Sequence, residues 1–176
     1  MSRAPESPFW DFSNAVYGRP GVAEACLALQ DRRGLDVNIL LLCCWAGVRG
    51  RTFTAAALGE RIDAVRPWRN HVVKPLRAAR RWLKGQQTVP SESAEALRRA
   101  IKAQELEAER LEQLILAEGA TIGEGQGGPA LAAANLRAYF LALDLVPEAQ
   151  DRADLSVLLC GIFEGLRRDD ALTLLG

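Results

Sequence analysis

Gly34-Leu35-Asp36-Val37-Asn38-Ile39-Leu40-Leu41-Leu42-Cys43-Cys44-Trp45-Ala46-Gly47-Val48-Arg49-Gly50 is the stretch on which the fold turns. Past Asn38 it is apolar on every side of a helical projection. A helix apolar all round must be buried all round, so the other segments are expected to wrap it. Asp36 stands where an N-cap is needed, and Gly47 and Gly50 stand where the helix should stop. The stretch therefore predicts a buried central helix over about residues 36–49. Asn38, polar and inside the first turn, helps Asp36 satisfy the free backbone donors there. The other reading has it reach across to a ligand or to the first helix.

The chain around this stretch has 176 residues, the size of one domain with a single core. Residues 1–176 are read as one helical domain. About half the residues are apolar (49%) and a quarter charged (25%), the balance of a globular chain rather than a disordered one. Lys plus Arg equals Asp plus Glu at 22 each, which argues against a generic nucleic-acid or anionic-membrane binder. The longest apolar run, Ile39 to Val48, is about half of what a bilayer requires. The opening residues Met1 to Pro8 lack the apolar run of a signal peptide. A cytoplasmic protein without a membrane span is expected. Cys26, Cys43, Cys44 and Cys160 all fall in apolar helical stretches, with no C-x-x-C spacing and a lone His71. They read as buried free thiols, and no zinc site is expected.

Every other segment also reads as helix, because Ala, Leu, Arg and Glu dominate and strict alternation is absent. Ser7-Pro8 supplies an N-cap with proline at the first helical position. The short helix that follows carries Phe9, Trp10, Phe12, Val16 and Tyr17, ends near Gly18, and should close one end of the core. Pro20 opens a second helix through about Arg33, with Gly34 as C-cap. Phe53 or Thr54 starts a helix to about Val65, and Pro67 starts another over Trp68 to Lys84. Pro75 predicts a kink near His71 to Lys74, or a break. Trp68, Val72, Leu76, Ala79 and Leu83 share the inward face of that helix. Ser91 caps a long helix, about Glu92 to Glu118, with a seam of Leu97, Ile101, Gln104, Ala108, Leu111 and Ile115. Residues 119–128 read as a flexible Gly-rich loop. Helices follow from Pro129 to about Leu145 and from about Asp154 to Arg167, and the apolar tail Leu172 to Leu175 either docks or frays. The fold class is all-α: an irregular single-domain helical bundle around a buried central helix.

Chemistry is sought among polar residues in apolar places. Glu105 and Glu112 fall within or at the edge of the buried arc of the long helix, with Glu109 nearer solvent. A buried carboxylate is costly unless paired, and Arg69, Arg77 and Arg80 are the natural partners. The bland reading is a set of rim salt bridges. The functional one is a polar pocket between the helices at about 67–84 and 91–118. No Glu-x-x-His pair exists for a di-metal bundle site. Gly123 to Gly128 precedes a helix but lacks the Gly-Lys-Ser/Thr ending, and Glu124 would repel phosphate, so it reads as a solvated linker. One histidine and no Gly-x-Ser-x-Gly elbow leave nucleophilic catalysis without parts. No catalytic residue, metal or cofactor is expected. The apolar central helix cannot read a major groove, and the arginine-rich face from Arg66 to Lys84 reads as a solvated helix face.

Phe9-Trp10-Asp11-Phe12-Ser13, Tyr17, Pro20 to Asp31 and Gly34 to Asn38 resemble the opening of a small proteobacterial all-helical family of unknown function. Trp68, Val72-Val73, Pro75-Leu76-Arg77, Arg80 and the Glu105/Glu109 pair are similar to its second half. The resemblance spans residues 9 to 116. It implies a cytoplasmic bacterial protein and brings no mechanism. The favoured reading is a non-enzymatic helical binding or adaptor protein that meets a protein partner or itself, resting on the apolar surplus of Phe9 to Tyr17 and Leu172 to Leu175. The alternative is a small-molecule-binding protein or enzyme whose pocket is built from Asn38, Trp68, Arg77, Arg80, Glu105 and Glu109. A pocket requires those side chains to converge on a cavity; an adaptor requires an exposed apolar patch.

Overall fold

The central helix, α3 (Val37–Val48), is buried at every residue from Asn38 to Gly47. This computed structural model describes residues 7–118, 120 and 125–176. Asp36 caps α3, its Oδ1 accepting from the Asn38 amide at 2.9 Å. Against the far side of α3 lies α7 (Pro129–Ala142). Gly47 permits that approach: a Cβ there would come within 2.4 Å of the Ala132 backbone. Asn135 of α7, fully buried, then ties down the turn after α3. Its Oδ1 accepts from the Phe53 amide at 2.7 Å, and its Nδ2 donates to the carbonyls of Cys43 and Arg51 at 3.0 and 2.9 Å.

The remaining helices complete the wrapping. α1 (Pro8–Tyr17), capped by Ser7, ends at Gly18 and stacks Phe9 on Trp45 with ring centroids 5.0 Å apart. α2 (Val22–Arg33) stops at Gly34, whose φ of 70° favours glycine. α2 packs on α8 (Ala149–Ile162), and α9 (Arg168–Leu175) packs on α7 and α8. The C-terminal tail docks, with Ala171 and Leu175 buried. The fold is thus all-α, with no strand among the described residues. No helix among them is long and apolar enough to cross a membrane.

Several helix boundaries differ from expectation. α4 (Ala55–Trp68), capped by Thr54, runs past Pro67 rather than stopping before it. It continues through a π-helical turn (Arg69–Val73) into α5 (Lys74–Trp82). Pro75 has no amide hydrogen, and its ring would strike the carbonyl of residue 71 in a regular helix. The wider π turn relieves that conflict without breaking the helical path. It also shifts the phase: Val73 and Leu83 are buried, whereas Ala79 of the expected inward face is exposed.

In α6 (Ser91–Ala117) the cap position belongs to Pro90, not Ser91. The expected seam is out of phase as well: Leu97 is 53% exposed, and Gln104 is exposed too. The buried positions include Ala94, Glu105, Ala108, Glu112, Gln113 and Leu116. The helix turns carboxylates inward because the surface it faces offers Arg77, Arg80 and Asn38 as partners. α7 ends at Ala142, where Asp144 (φ 54°) turns the chain, short of the expected Leu145. α8 begins at Ala149 instead of Asp154, because Glu148 and Asp151 form a capping box. It also stops at Ile162, short of Arg167.

Gly127 and Gly128 are not part of a solvated linker. Their amides donate to the carbonyls of Val48 and Gly47 at 3.0 and 3.1 Å, pinning this segment to the end of α3. Met1 to Glu6, on which the leader reading rests, lie outside the described residues, as do Gly119 and the stretch 121–124 with Gly123 and Glu124.

Candidate functional site

Between α1, α2, the start of α3, the π turn, α5 and α6 lies a cavity of about 390 Å³. Apolar walls come from Trp10, Tyr17, Leu27, Leu41, Val73 and Leu106. The polar lining falls into two layers.

The upper layer is an arginine–carboxylate lattice between α5 and α6. Arg77 donates from Nε to Glu105 at 2.9 Å, from Nη1 to the Gln30 side chain at 2.6 Å, and from Nη2 to Glu109 at 2.5 Å. Arg80 donates from Nε and Nη2 to Glu105. Burial alone would raise the Glu105 pKa, but the two guanidiniums prevail and hold it below the usual range. Glu109 goes the other way: burial outweighs its single cation, Arg77, and raises it. Burial likewise opposes charge on Arg77, yet Glu105 and Glu109 hold its pKa up. Lys102 and Arg81 stand exposed at the rim. Arg81 reaches only Asp31, at 3.5 Å, and Lys102 makes no ion pair among the described residues.

The floor is a buried polar chain. Ser13 Oγ donates to Gln113 Oε1 at 3.1 Å, Gln113 Nε2 donates to Asn38 Oδ1 at 2.8 Å, and Asn38 Nδ2 donates to Glu112 Oε2 at 2.7 Å. Glu112 is 1% exposed, and its other oxygen, Oε1, has no ordinary donor. That carboxyl is instead within hydrogen-bonding reach of Asp36. Burial, reinforced by the Asp36 charge and the hydrogen bond to it, pushes the Glu112 pKa up to about 8. Two carboxyl groups this close in a buried place favour the neutral form of Glu112. Asp36 is held from behind by Arg69, whose Nε lies 2.9 Å from Oδ2. Its backbone amide donates to Tyr139 Oη at 2.8 Å.

Five of the six residues singled out from sequence line this cavity: Asn38, Arg77, Arg80, Glu105 and Glu109. Trp68 does not. Its Nε1 donates to the Ala108 carbonyl at 2.9 Å, and its ring lines a separate shallow groove with Leu111 and Ile115. The cavity is also wider than the two helices expected to form it. Glu112, legible as buried, is its floor; Asp36, expected only as a cap, is the partner of that floor. Ser13, Gln30 and Gln113 were not singled out for chemistry, because an uncharged polar residue on an amphipathic helix is ordinary.

The three buried thiols contribute no reactive group. Burial pushes Cys26 up to about 12 and raises Cys43 and Cys44 as well, so none is a thiolate at neutral pH. Among the described residues, no group of three potential ligands is placed to hold a metal ion. The model of the family described as "Protein of unknown function (DUF2390)" matches residues 8–116, and the chain belongs to that family. No curated protein and no solved structure matches it. The matched region runs from the start of α1 to the end of α6, so it contains every residue that lines the cavity.

Proposed function

We propose that this chain binds a small organic molecule in the cavity, with an acidic group of the ligand held at the rim by Arg80, Arg81 and Lys102. The observation that carries the reading is convergence: five polar residues from three helices, α3, α5 and α6, meet around one partly open space of about 390 Å³, within the size range of small-molecule sites. The rim adds direction. Arg77 is consumed by Glu105, Glu109 and Gln30, whereas Lys102 and most of Arg81 remain available to an incoming anion.

The adaptor reading drew on Phe9 to Tyr17 and Leu172 to Leu175, of which Phe9, Val16 and Leu175 are core residues and Phe12, Tyr17 and Leu174 pack partly buried against the core. The buried thiols fit a reducing bacterial cytoplasm as the place of action.

The test uses indole-3-propionate, a flat bicyclic acid small enough for a cavity of about 390 Å³ whose lining includes Trp10, Tyr17 and Leu41. Titration calorimetry should give saturable one-to-one binding that weakens at least tenfold in the Arg80→Ala/Lys102→Ala double variant. No heat and no ligand line-broadening in NMR at millimolar concentration would remove this reading.

A further inference from the structure

We propose that the floor of this cavity, at Asp36 and Glu112, takes a positively charged ammonium group of the ligand, whose donors meet the buried, unpartnered carboxyl oxygen of Glu112. The inference rests on the cavity being a binding site, and goes beyond it by fixing the charge at the deep end. Combined with the cationic rim, it makes the preferred ligand a zwitterion, amine inward and acid outward.

The starting point is Glu112 Oε1, on a side chain that is 1% exposed, lines the cavity and offers this oxygen no ordinary donor. The neighbouring oxygen is fully engaged by Asn38. An acceptor left in this state costs free energy, and two carboxylates cannot face each other charged in a buried site. A proton between them resolves both problems and is the smallest cation that can. A primary ammonium resolves them too, with three donors for the oxygens of Asp36 and Glu112. The charged groups that face Glu112 are Asp36 before α3 and Arg69 from the π turn, with Asn38 and Gln113 as neutral neighbours. Arg69 holds Asp36 from the side of its ion pair and does not bond Glu112. Asp36 also faces Tyr139 from α7 and Glu109 from α6, and Glu109 has Arg77 as its own cation; at the floor Arg69 therefore balances one carboxylate, and the second is left for the proton or for the ligand. The exchange is balanced: one ammonium enters and one proton leaves to solvent.

The experiment compares tryptamine with indole-3-propionate, probes of similar shape and opposite charge, by calorimetry in two buffers of different ionisation enthalpy at pH 7. Glu112→Gln and Asp36→Asn serve as variants. Gln reproduces the shape of the protonated acid and Asn still caps α3, so both keep the fold. Expected for tryptamine are release of close to one proton per molecule bound, affinity that rises about tenfold per pH unit up to pH 8, and at least a tenfold loss in either variant. Indole-3-propionate should release no proton and change less than twofold in Glu112→Gln. Tryptophan, carrying both groups, should bind more tightly than either probe. If the acid binds and tryptamine does not, or if tryptamine binds without proton release, the floor does not take an ammonium, and the cavity remains a site for acids. If neither probe binds at millimolar concentration, both the cavity reading and this one are overturned.

Discussion

Replacing Glu112 with Gln should flatten the dependence of stability on pH between pH 5 and 8. The folded chain holds the Glu112 proton up to about pH 8, whereas the ordinary glutamate value is 4.5. Between those limits the native state binds one proton more than the unfolded state. Stability contributed by this group is therefore fully present below pH 4.5 and is lost as pH rises toward 8. Each pH unit costs about 1.4 kcal/mol. Across the whole window the ceiling is roughly 4–5 kcal/mol, with any relaxation of Asp36 and Arg69 subtracting from it. Gln cannot ionise, yet it keeps an acceptor for Asn38 and an N–H donor for Asp36. Urea unfolding of both proteins at pH 5, 6.5 and 8 gives the result as a difference, in which titrations elsewhere cancel. The variant should equal the natural protein or be slightly weaker at pH 5, and should exceed it by at least 2 kcal/mol at pH 8, with unchanged m-values. Parallel curves would mean that Glu112 is ionised in the folded state and that the Asp36–Glu112 proton does not exist.

Arg77→Ala should cost about 2–4 kcal/mol in urea melts at pH 7, because it leaves Glu109 without its cation and Glu105 with Arg80 alone. Arg77→Lys should recover less than half, since a point charge cannot serve three acceptors set out for a guanidinium fork. Asn135→Ala should cost about 2 kcal/mol by the same measurement, as it orphans the buried Cys43 carbonyl together with the part-buried Phe53 amide and Arg51 carbonyl. A bulky thiol reagent should modify at most one cysteine in the native protein, Cys160, the one that is not fully buried. All four of the chain should react in urea.

The wrapping of α3 was legible because its composition admits one environment only, and the caps at Ser7, Gly34 and Asp36 were legible because each is local chemistry. The phase of α6 was not. Leu97 and Gln104 fit an apolar seam by spacing, but the side of the helix that turns inward is decided by what stands opposite. Arg77 and Arg80 belong to another segment whose own phase depends on the π turn. The start of α8 was missed for a similar reason. Asp151 reads as a polar residue before an apolar helix, and only its meeting with Arg32 and Arg33, far away in sequence, makes it a buried first-turn residue. In the cavity the charged members could be suspected from sequence because burying a charge is expensive. Asp36 escaped because a capping role already accounted for it.

The π turn has a consequence for how this chain tolerates insertions and deletions. Eight residues of regular helix would set Arg77 about 80° around the axis from Arg69; the wider turn over Arg69–Val73 takes back much of that angle. Both arginines then point into the same space, one toward Asp36 and one toward Glu105. Removing a single residue from this turn would restore the regular pitch and leave the downstream face within roughly 30° of its present direction, because seven residues of regular helix come to about two full turns. The same deletion made beyond the turn, in regular helix, would swing everything after it by about 100°, and Trp82 would trade places with side chains that now look inward. The π turn is thus the one place along this helix where a residue can be lost while the facing of α5, and with it the lining of the cavity, is kept.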